Sequence, residues 1–218
     1  GHMHEGGLIA EILGRLLRIP AVFDCQGGLV EEMREKGALG GRGILLRLVS
    51  RLERWIDRNA DVVLTCSRSM ADQMVRRHGV DAGRVLPAAD GVNAEEFRPR
   101  MAPEGLRDKL GIPADRAVIV YLGLLLPHQG IDLLMDAIPK VVAERSEAHF
   151  LVMGYPNVDR YRAYAEQRDV ADHVTFTGAV RYGQAAQFLG LGDAAVSPKI
   201  SATEGNGKLY NYMACGLP

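Results

Sequence analysis

The 218-residue sequence is short of cysteine and aromatic residues: three cysteines, one tryptophan, and 6% aromatic content overall. Cys25, Cys66 and Cys215 are far apart and odd in number, and they read as buried thiols of a reducing compartment. No C-x-x-C pair and no His/Cys cluster points to structural zinc. No uninterrupted apolar run approaches the roughly 18 residues of a membrane span. An excess of one charge is missing too. Lys and Arg number 26 against 27 Asp and Glu, a net charge of −1, without the basic surplus of a general nucleic-acid binder. Short internal repeats and low-complexity tracts are absent. What is present is a 47% apolar composition, suited to a packed core, in a chain long enough for one large domain or two small ones.

The apolar pattern alternates between helix and strand periods. Residues 6–18 place Leu8, Ile9, Ile12, Leu13, Leu16 and Leu17 at helical spacing. Strands are predicted at 21–23, 61–65 and 85–87, and helices at 29–36, 44–58 and 69–78, with Ser67 as an N-cap. Glycines 37, 40, 41 and 43 break the pattern between the second and third helices. After a Pro-rich linker at 98–103 and a short helix ending at Leu110, Ala117-Val-Ile-Val-Tyr-Leu122 is a strand to be buried on both faces. Helices at 130–144, 159–168, 183–190 and 208–214 then alternate with strands at 149–153, 174–177 and 194–197. This order predicts a doubly wound α/β fold, whose ligands bind beyond the carboxyl ends of the strands. Gly1-His2-Met3 resembles the scar of tag removal. The chain stops at Pro218, where a further strand is expected, so the sequence reads as incomplete at both ends.

The loop Ser197-Pro-Lys-Ile-Ser-Ala-Thr-Glu-Gly-Asn-Gly207 leads into Lys208-Leu-Tyr-Asn-Tyr-Met-Ala-Cys-Gly216. Gly205 and Gly207 let backbone approach a ligand, and the free N–H groups of the helix start form an anion site. Lys208 stands in the first turn, the wrong end of the helix dipole for a cation, and a diphosphate there reverses the penalty. It reads equally as a solvated lysine. Leu209 excludes a Walker loop and Tyr210 excludes a dinucleotide fingerprint.

The stretch from Thr203 to Pro218 resembles the donor-site motif of the retaining family 4 glycosyltransferases, which have the GT-B fold of two Rossmann-like domains. Four further segments carry the resemblance along the chain. Asn59-Ala-Asp-Val-Val-Leu-Thr-Cys-Ser67 is similar to the last strand segment of the family's first domain, and Asp90-Gly-Val-Asn-Ala-Glu-Glu-Phe-Arg-Pro99 to its linker signature. Tyr121-Leu-Gly-Leu-Leu-Leu-Pro-His-Gln-Gly-Ile131 is similar to its "G-R-L…K-G" loop, and Val174-Thr-Phe-Thr-Gly178 to its base-binding strand. The resemblance implies residues 4–98 as the latter part of an acceptor-side domain and 99–218 as most of a nucleotide-sugar domain. It implies sugar transfer from a nucleoside-diphosphate sugar to a hydroxyl, with retention and without a metal or other cofactor. No D-x-D metal motif is present.

By the same resemblance, Lys208, Asn206 and Gly207 meet the diphosphate, with Gly123, Gln129 and Lys199 around them. Asn211 meets the ribose and the Val180 backbone the base. Glu204 holds the donor sugar, and His4 lies beside the transferring sugar. The sequence departs from the family at four positions. The E-x7-E positions fall on Thr203 and Asn211, with Glu204 one place later, and the loop's usual Arg and Lys are Leu124 and Gln129. These losses leave a second reading open, a noncatalytic nucleotide-sugar binder or partner subunit. Asp24-Cys25-Gln26-Gly27 reads as an acceptor contact or an ordinary turn, and His128 as a diphosphate contact or a solvated loop residue.

Residues 42–58 place Arg47, Arg51, Arg54 and Arg58 along one helix face beside Leu45, Leu48, Val49, Leu52, Trp55 and Ile56. The expected arrangement packs this apolar stripe on the domain's own sheet. The other reading is peripheral contact with an anionic membrane that carries a lipid-linked acceptor. The expected location is cytoplasmic, extending to the inner membrane surface. Exposed sheet edges allow a homodimer.

Overall fold

The computed structural model describes residues 1–35, 43–200 and 206–218. They divide into two units, Gly1–Asp90 and the described residues from Gly91 onward. The sequence places this boundary at 98/99. In the structure the linker signature goes with the second unit, because Phe97 is buried in that unit's core and stacks on Tyr182 at 4.9 Å.

In the first unit, α1 (Met3–Leu17) precedes β1 (Val22–Cys25), and α2 (Leu29–Glu35) and α3 (Gly43–Asn59) precede β2 (Val62–Thr65). Then α4 (Arg68–Gln73) precedes β3 (Val85–Pro87). The strands are parallel in the order β1-β2-β3, with Phe23 beside Val63 and Val63 beside Val85. Each parallel pair needs a crossover, which the helices supply. Ser67 caps α4 as predicted, its hydroxyl accepting from the Met70 N–H at 3.1 Å. The helix expected over 69–78 changes hydrogen-bond pattern within its length: α4 gives way to a π-helical turn, Met74–His78. Gly79, at φ 70°, ends that turn, and the Val80 N–H reaches back to the Met74 carbonyl at 3.0 Å. The Arg58 guanidinium, which donates to the His78 carbonyl, fills the space a Cβ at Gly79 would occupy. Cys25 and Cys66 are buried in this unit as free thiols, while Cys215 in the second is half-buried.

α3 departs from expectation. Its apolar stripe does not lie on the sheet: Ile44 is 76% exposed, Leu48 56%, Leu52 41% and Trp55 36%. The buried positions are Glu53, Ile56 and Asp57. The cause is electrostatic. Asp57 is wholly buried, with His78 Nδ1 hydrogen-bonded to one carboxylate oxygen and His4 Nε2 3.5 Å from the other. Burial alone pushes the Asp57 carboxyl up, but its contacts with His4 and His78 outweigh burial and hold it below the usual range. The same hydrogen bond raises His78 against the opposing effect of its burial. A helix has one inward face. Seating Glu53 and Asp57 there turns the apolar stripe outward.

α1 is arranged in the same way. It buries His4, Gly7, Glu11 and Gly14, and it exposes Ile9, Ile12, Leu13, Leu16 and Leu17. At Gly7 a Cβ would lie 2.7 Å from the Phe23 ring, so the small residue sets the close packing of α1 on β1.

The second unit begins with the short α5 (Leu106–Lys109) and continues through β4 (Ala117–Leu122), α6 (Ile131–Glu144), β5 (Ala148–Met153) and α7 (Val158–Gln167). It ends with β6 (Val174–Gly178), α8 (Tyr182–Leu189), β7 (Ala194–Ala195) and α9 (Gly207–Ala214). All four strands are parallel, in the order β6-β5-β4-β7. The period of two divides β5 between two cores. Phe150 and Val152 pack with Leu134, Met135, Ile138 and Tyr161 on one face. Leu151 and Met153 pack with Val118, Val120, Ala186 and Leu189 on the other. Both faces are therefore covered, which is the doubly wound arrangement the apolar runs predict. β7 is shorter than expected. Its ladder continues through the Val196 N–H to the Val120 carbonyl at 2.9 Å and meets Pro198, which has no N–H to give.

Glu11 yields a prediction. Both of its carboxylate oxygens are buried without a hydrogen-bond partner. Burial pushes its pKa up from 4.5 to about 7, with Arg15 pulling the other way. The folded pKa lies above the unfolded one, so the folded state holds the extra proton and stability falls as pH rises from 4.5 through about 7. Glu11→Gln removes that loss. Because Glu11 lines an open cavity, the gain at pH 8 is held to about 1–2 kcal/mol. Melting curves of the two proteins coincide near pH 4 and separate, in favour of the variant, by pH 8.

Candidate functional site

At the carboxyl end of β4 the chain makes a series of close approaches. Gly123 donates its N–H to the Met153 carbonyl at 3.0 Å, and Leu125 donates to Tyr155 at 2.9 Å, so the loops after β4 and β5 run together. A Cβ at Gly154 would collide with the Gly123 carbonyl oxygen. Gly130, at φ 75°, closes the first loop where a Cβ would collide with the Pro198 carbonyl oxygen. The loops after β4, β5 and β7 thus converge through backbone contacts that only glycine permits.

Lys208 lies in this convergence, in the first turn of α9. Its ammonium donates to Gln129 Oε1 at 3.1 Å and stands 4.6 Å from the centre of the Tyr121 ring. Tyr121 is itself fixed by donating to the Leu124 carbonyl at 2.9 Å. Gly123 leaves room for the ammonium: a Cβ there would lie 2.8 Å from Nζ. Among the described residues, no carboxylate pairs with Lys208. Burial, with a smaller contribution from the Lys199 charge, lowers its pKa from 10.5 to about 8. Lys199 is half-buried nearby.

The helix start is also unsatisfied. Asn206 occupies the N-cap position, yet its side chain makes no capping hydrogen bond. Its Nδ2 donates instead to Ser197 Oγ at 2.8 Å, and its Oδ1 is buried without a partner. Among the described residues no side chain caps the first turn of α9, where the Leu209 N–H donates to the Asn206 carbonyl at 3.0 Å. An uncapped helix start beside a desolvated lysine is a site for an anion.

α9 is held in place by Tyr212, which is buried. Its hydroxyl accepts from the Leu122 N–H at 2.8 Å and lies 3.4 Å from the Val196 carbonyl. This ties the helix to β4 and to the end of β7.

The structure thus brings together Gly123, Gln129, Lys199, Asn206, Gly207 and Lys208 within the second unit. Asn211 is half-buried one turn further along α9. Val180 follows β6 and packs against the core that contains Tyr212. Glu204 lies outside the described residues. His4 belongs to the first unit, where it is 5% exposed, edge-on to Phe23 and beside Asp57. Gln26 donates to Asp24 Oδ1 at 2.6 Å, the local bond of an ordinary turn. Sequence reasoning missed Tyr121, Tyr212 and Gly130. The signal for Tyr121 was available, because it is the one polar-tipped residue in the apolar run 117–122. Tyr212 carried no comparable signal.

Comparison with known proteins identifies the family and the fold. Residues 104–218 match the family described as glycosyl transferases group 1, and residues 1–90 match a glycosyl transferase 4-like domain. The chain belongs to the group 1 glycosyltransferases. A D-inositol 3-phosphate glycosyltransferase of Catenulispora acidiphila is 28% identical over 169 residues, 73% of this chain and 39% of that protein. The phosphatidylinositol N-acetylglucosaminyltransferase GPI3 subunit of Saccharomyces cerevisiae is 27% identical over 160 residues, 73% of this chain and 35% of that protein. The chain therefore spans less than half the length of these relatives. Among solved structures, Anabaena Alr3699/HepE in complex with UDP-glucose superimposes with a TM-score of 0.78 at 18% identity, over 99% of this chain and 57% of that one. The fold is of the GT-B type.

The electrostatics of Lys208 can be tested. With a folded pKa of about 8 against 10.5, the folded state gives up the proton first, so the burial cost is fully present below pH 8 and relieved between 8 and 10.5. Lys208→Met is expected to raise the stability of the unliganded protein at pH 7 by about 1–2 kcal/mol. The gain in melting temperature shrinks toward pH 10.

Proposed function

We propose that this chain forms part of an enzyme that transfers a sugar from a nucleoside-diphosphate sugar to a hydroxyl acceptor, retaining anomeric configuration and without a metal. The observation that carries the reading is Lys208, partly buried at the start of α9 with no carboxylate partner among the described residues and no capping bond from Asn206. A diphosphate in that position stabilises the ammonium through charge-assisted hydrogen bonds. Gln129, where the family has a lysine, accepts from Lys208 and aims it. Lys199 supplies a second positive charge.

In this reading the leaving diphosphate gathers charge as the glycosidic bond breaks. Lys208 and the N–H groups of Asn206 and Gly207 meet that charge in a preformed, partly dry site. The leaving phosphate takes the acceptor's proton on the same face, so no enzyme nucleophile is needed. Glu204 holds the donor sugar, Asn211 the ribose, and the backbone at Val180 the base.

The acceptor is a sugar or a lipid-linked hydroxyl. The outward apolar stripe and arginines of α3 support peripheral contact with a membrane on the cytoplasmic side, and no helix among the described residues is long and apolar enough to cross one. A second reading rests on Leu124 and Gln129, which remove two charges from the phosphate loop. A chain with that loss could bind nucleotide sugar as a noncatalytic partner, and the yeast relative is named as a subunit.

The test is a thermal-shift titration with UDP, GDP, ADP and their sugar conjugates, with and without magnesium. A ligand at a hundred times its Kd adds about 2.7 kcal/mol. The proposal expects a shift with one base, unchanged by magnesium and lost in Lys208→Ala. A shift that requires magnesium would overturn the metal-free site. No shift with any diphosphate would remove the donor site itself. Sugar transfer, measured afterwards with the nucleotide so identified, separates the enzyme from the noncatalytic partner.

A further inference from the structure

A cavity of about 650 Å³ opens in the first unit between α3 and the π-helical turn after α4. Its lining includes Arg47, Arg51 and Arg54 from α3, with Arg77 and His78 from the turn. Among the described residues, none of these four guanidiniums pairs with a carboxylate. The one carboxylate among the described lining residues, Glu53, is engaged inward: its Oε1 accepts from the Val30 N–H at 3.4 Å and lies 4.0 Å from His4 Nε2. Asp57, the other acid of α3, is wholly buried between His4 and His78. The helix has therefore turned both of its carboxylates inward and left Arg47, Arg51 and Arg54 around a hollow.

Such an arrangement is unfavourable without a partner. Arg47 and Arg51 are four residues apart, and Arg51 and Arg54 three, spacings at which like charges destabilise a helix. Arg77 adds a further positive charge from a second element. The His78 ring is fixed by its hydrogen bond to Asp57 and adds a further donor edge to the lining. The volume falls within the roughly 300–1,000 Å³ of small-ligand sites.

We propose that this cavity binds a phosphate ester, held by the guanidinium groups of Arg51 and Arg77 from opposite walls with Arg47 and Arg54 beside them. Guanidinium forks match the paired oxygens of a phosphate. The site lies in a different unit from Lys208 and does not depend on the transferase reading. A water-soluble ester and the headgroup of a phospholipid share the chemistry. The exposed Leu48, Leu52 and Trp55 on α3 are placed to meet the acyl region in the second case.

The experiment uses two probes. Calorimetric titration with glycerol 3-phosphate measures the soluble ester. Co-sedimentation with vesicles of phosphatidylcholine, with and without phosphatidate, measures the lipid form. The variant is Arg51→Gln with Arg77→Gln; both side chains are exposed, and an unchanged melting temperature confirms folding. Arg47→Gln with Arg54→Gln is the second pair, and Lys208→Ala the control. The proposal expects binding of at least one probe, weakened about tenfold or more in both arginine pairs and unchanged in the control. Vesicle binding lost in Leu52→Gln with Trp55→Gln, while glycerol 3-phosphate binding persists, assigns the ester to a lipid. Glycerol 3-phosphate binding without any vesicle binding assigns it to a soluble ligand. Wild-type affinity in both arginine pairs, or no binding of either probe by the wild type, overturns the proposal.

Discussion

Holding a lysine away from water at the positive end of a helix costs free energy when nothing is bound, and the second unit is arranged to sustain that cost. Tyr121, fixed by the Leu124 carbonyl, offers its ring to the ammonium, and Gln129 offers one neutral acceptor. Neither cancels a charge. No carboxylate among the described residues gives compensation, and burial, with the Lys199 charge, lowers the Lys208 pKa. Asn206 adds to it by turning its side chain to Ser197 instead of capping the helix. The sheet contributes rigidity. Strands buried on both faces bring three loops to one edge, and glycines at 123, 130 and 154 let their backbones close on one another.

The first unit meets a different constraint with related means. Asp57 is buried, and two imidazoles keep it charged. That choice decides the orientation of α3, because the acid must face inward and the apolar stripe then faces out. The same rotation brings the arginines around the cavity beside the π-helical turn. Buried polar clusters commonly specify an arrangement more than they stabilise it. Here the cluster specifies which surface the helix presents.

Much of this could be read in the sequence, for identifiable reasons. The strands of the second unit were legible because apolar runs of parallel strands are continuous and bounded by glycine. β5, buried at every position, is the clearest case. The start of α9 was marked in the sequence as a candidate anion site by Gly205, Gly207 and Lys208, since a lysine in a first turn needs an explanation. The orientation of α3 was not legible. Periodicity shows that a helix has an apolar side, but not that a buried Asp57 paired with residues 4 and 78 will outweigh it. His78 lies 21 positions from its partner, and nothing local announces the pairing. The π-helical turn escaped for a similar reason, because its start leaves the apolar spacing intact. Tyr212 as the tie between α9 and β4 depends on a contact across 90 positions.

The central claim is that Lys208 is an incomplete ion pair awaiting a diphosphate. The direct measurement is the titration of the Lys208 ammonium by NMR on selectively labelled protein, free and with the nucleoside diphosphate that binds. The account predicts a midpoint near pH 8 in the free protein, moving up by a unit or more when the diphosphate is bound. A midpoint at the ordinary lysine value in the free protein, unmoved by any nucleotide, would contradict it.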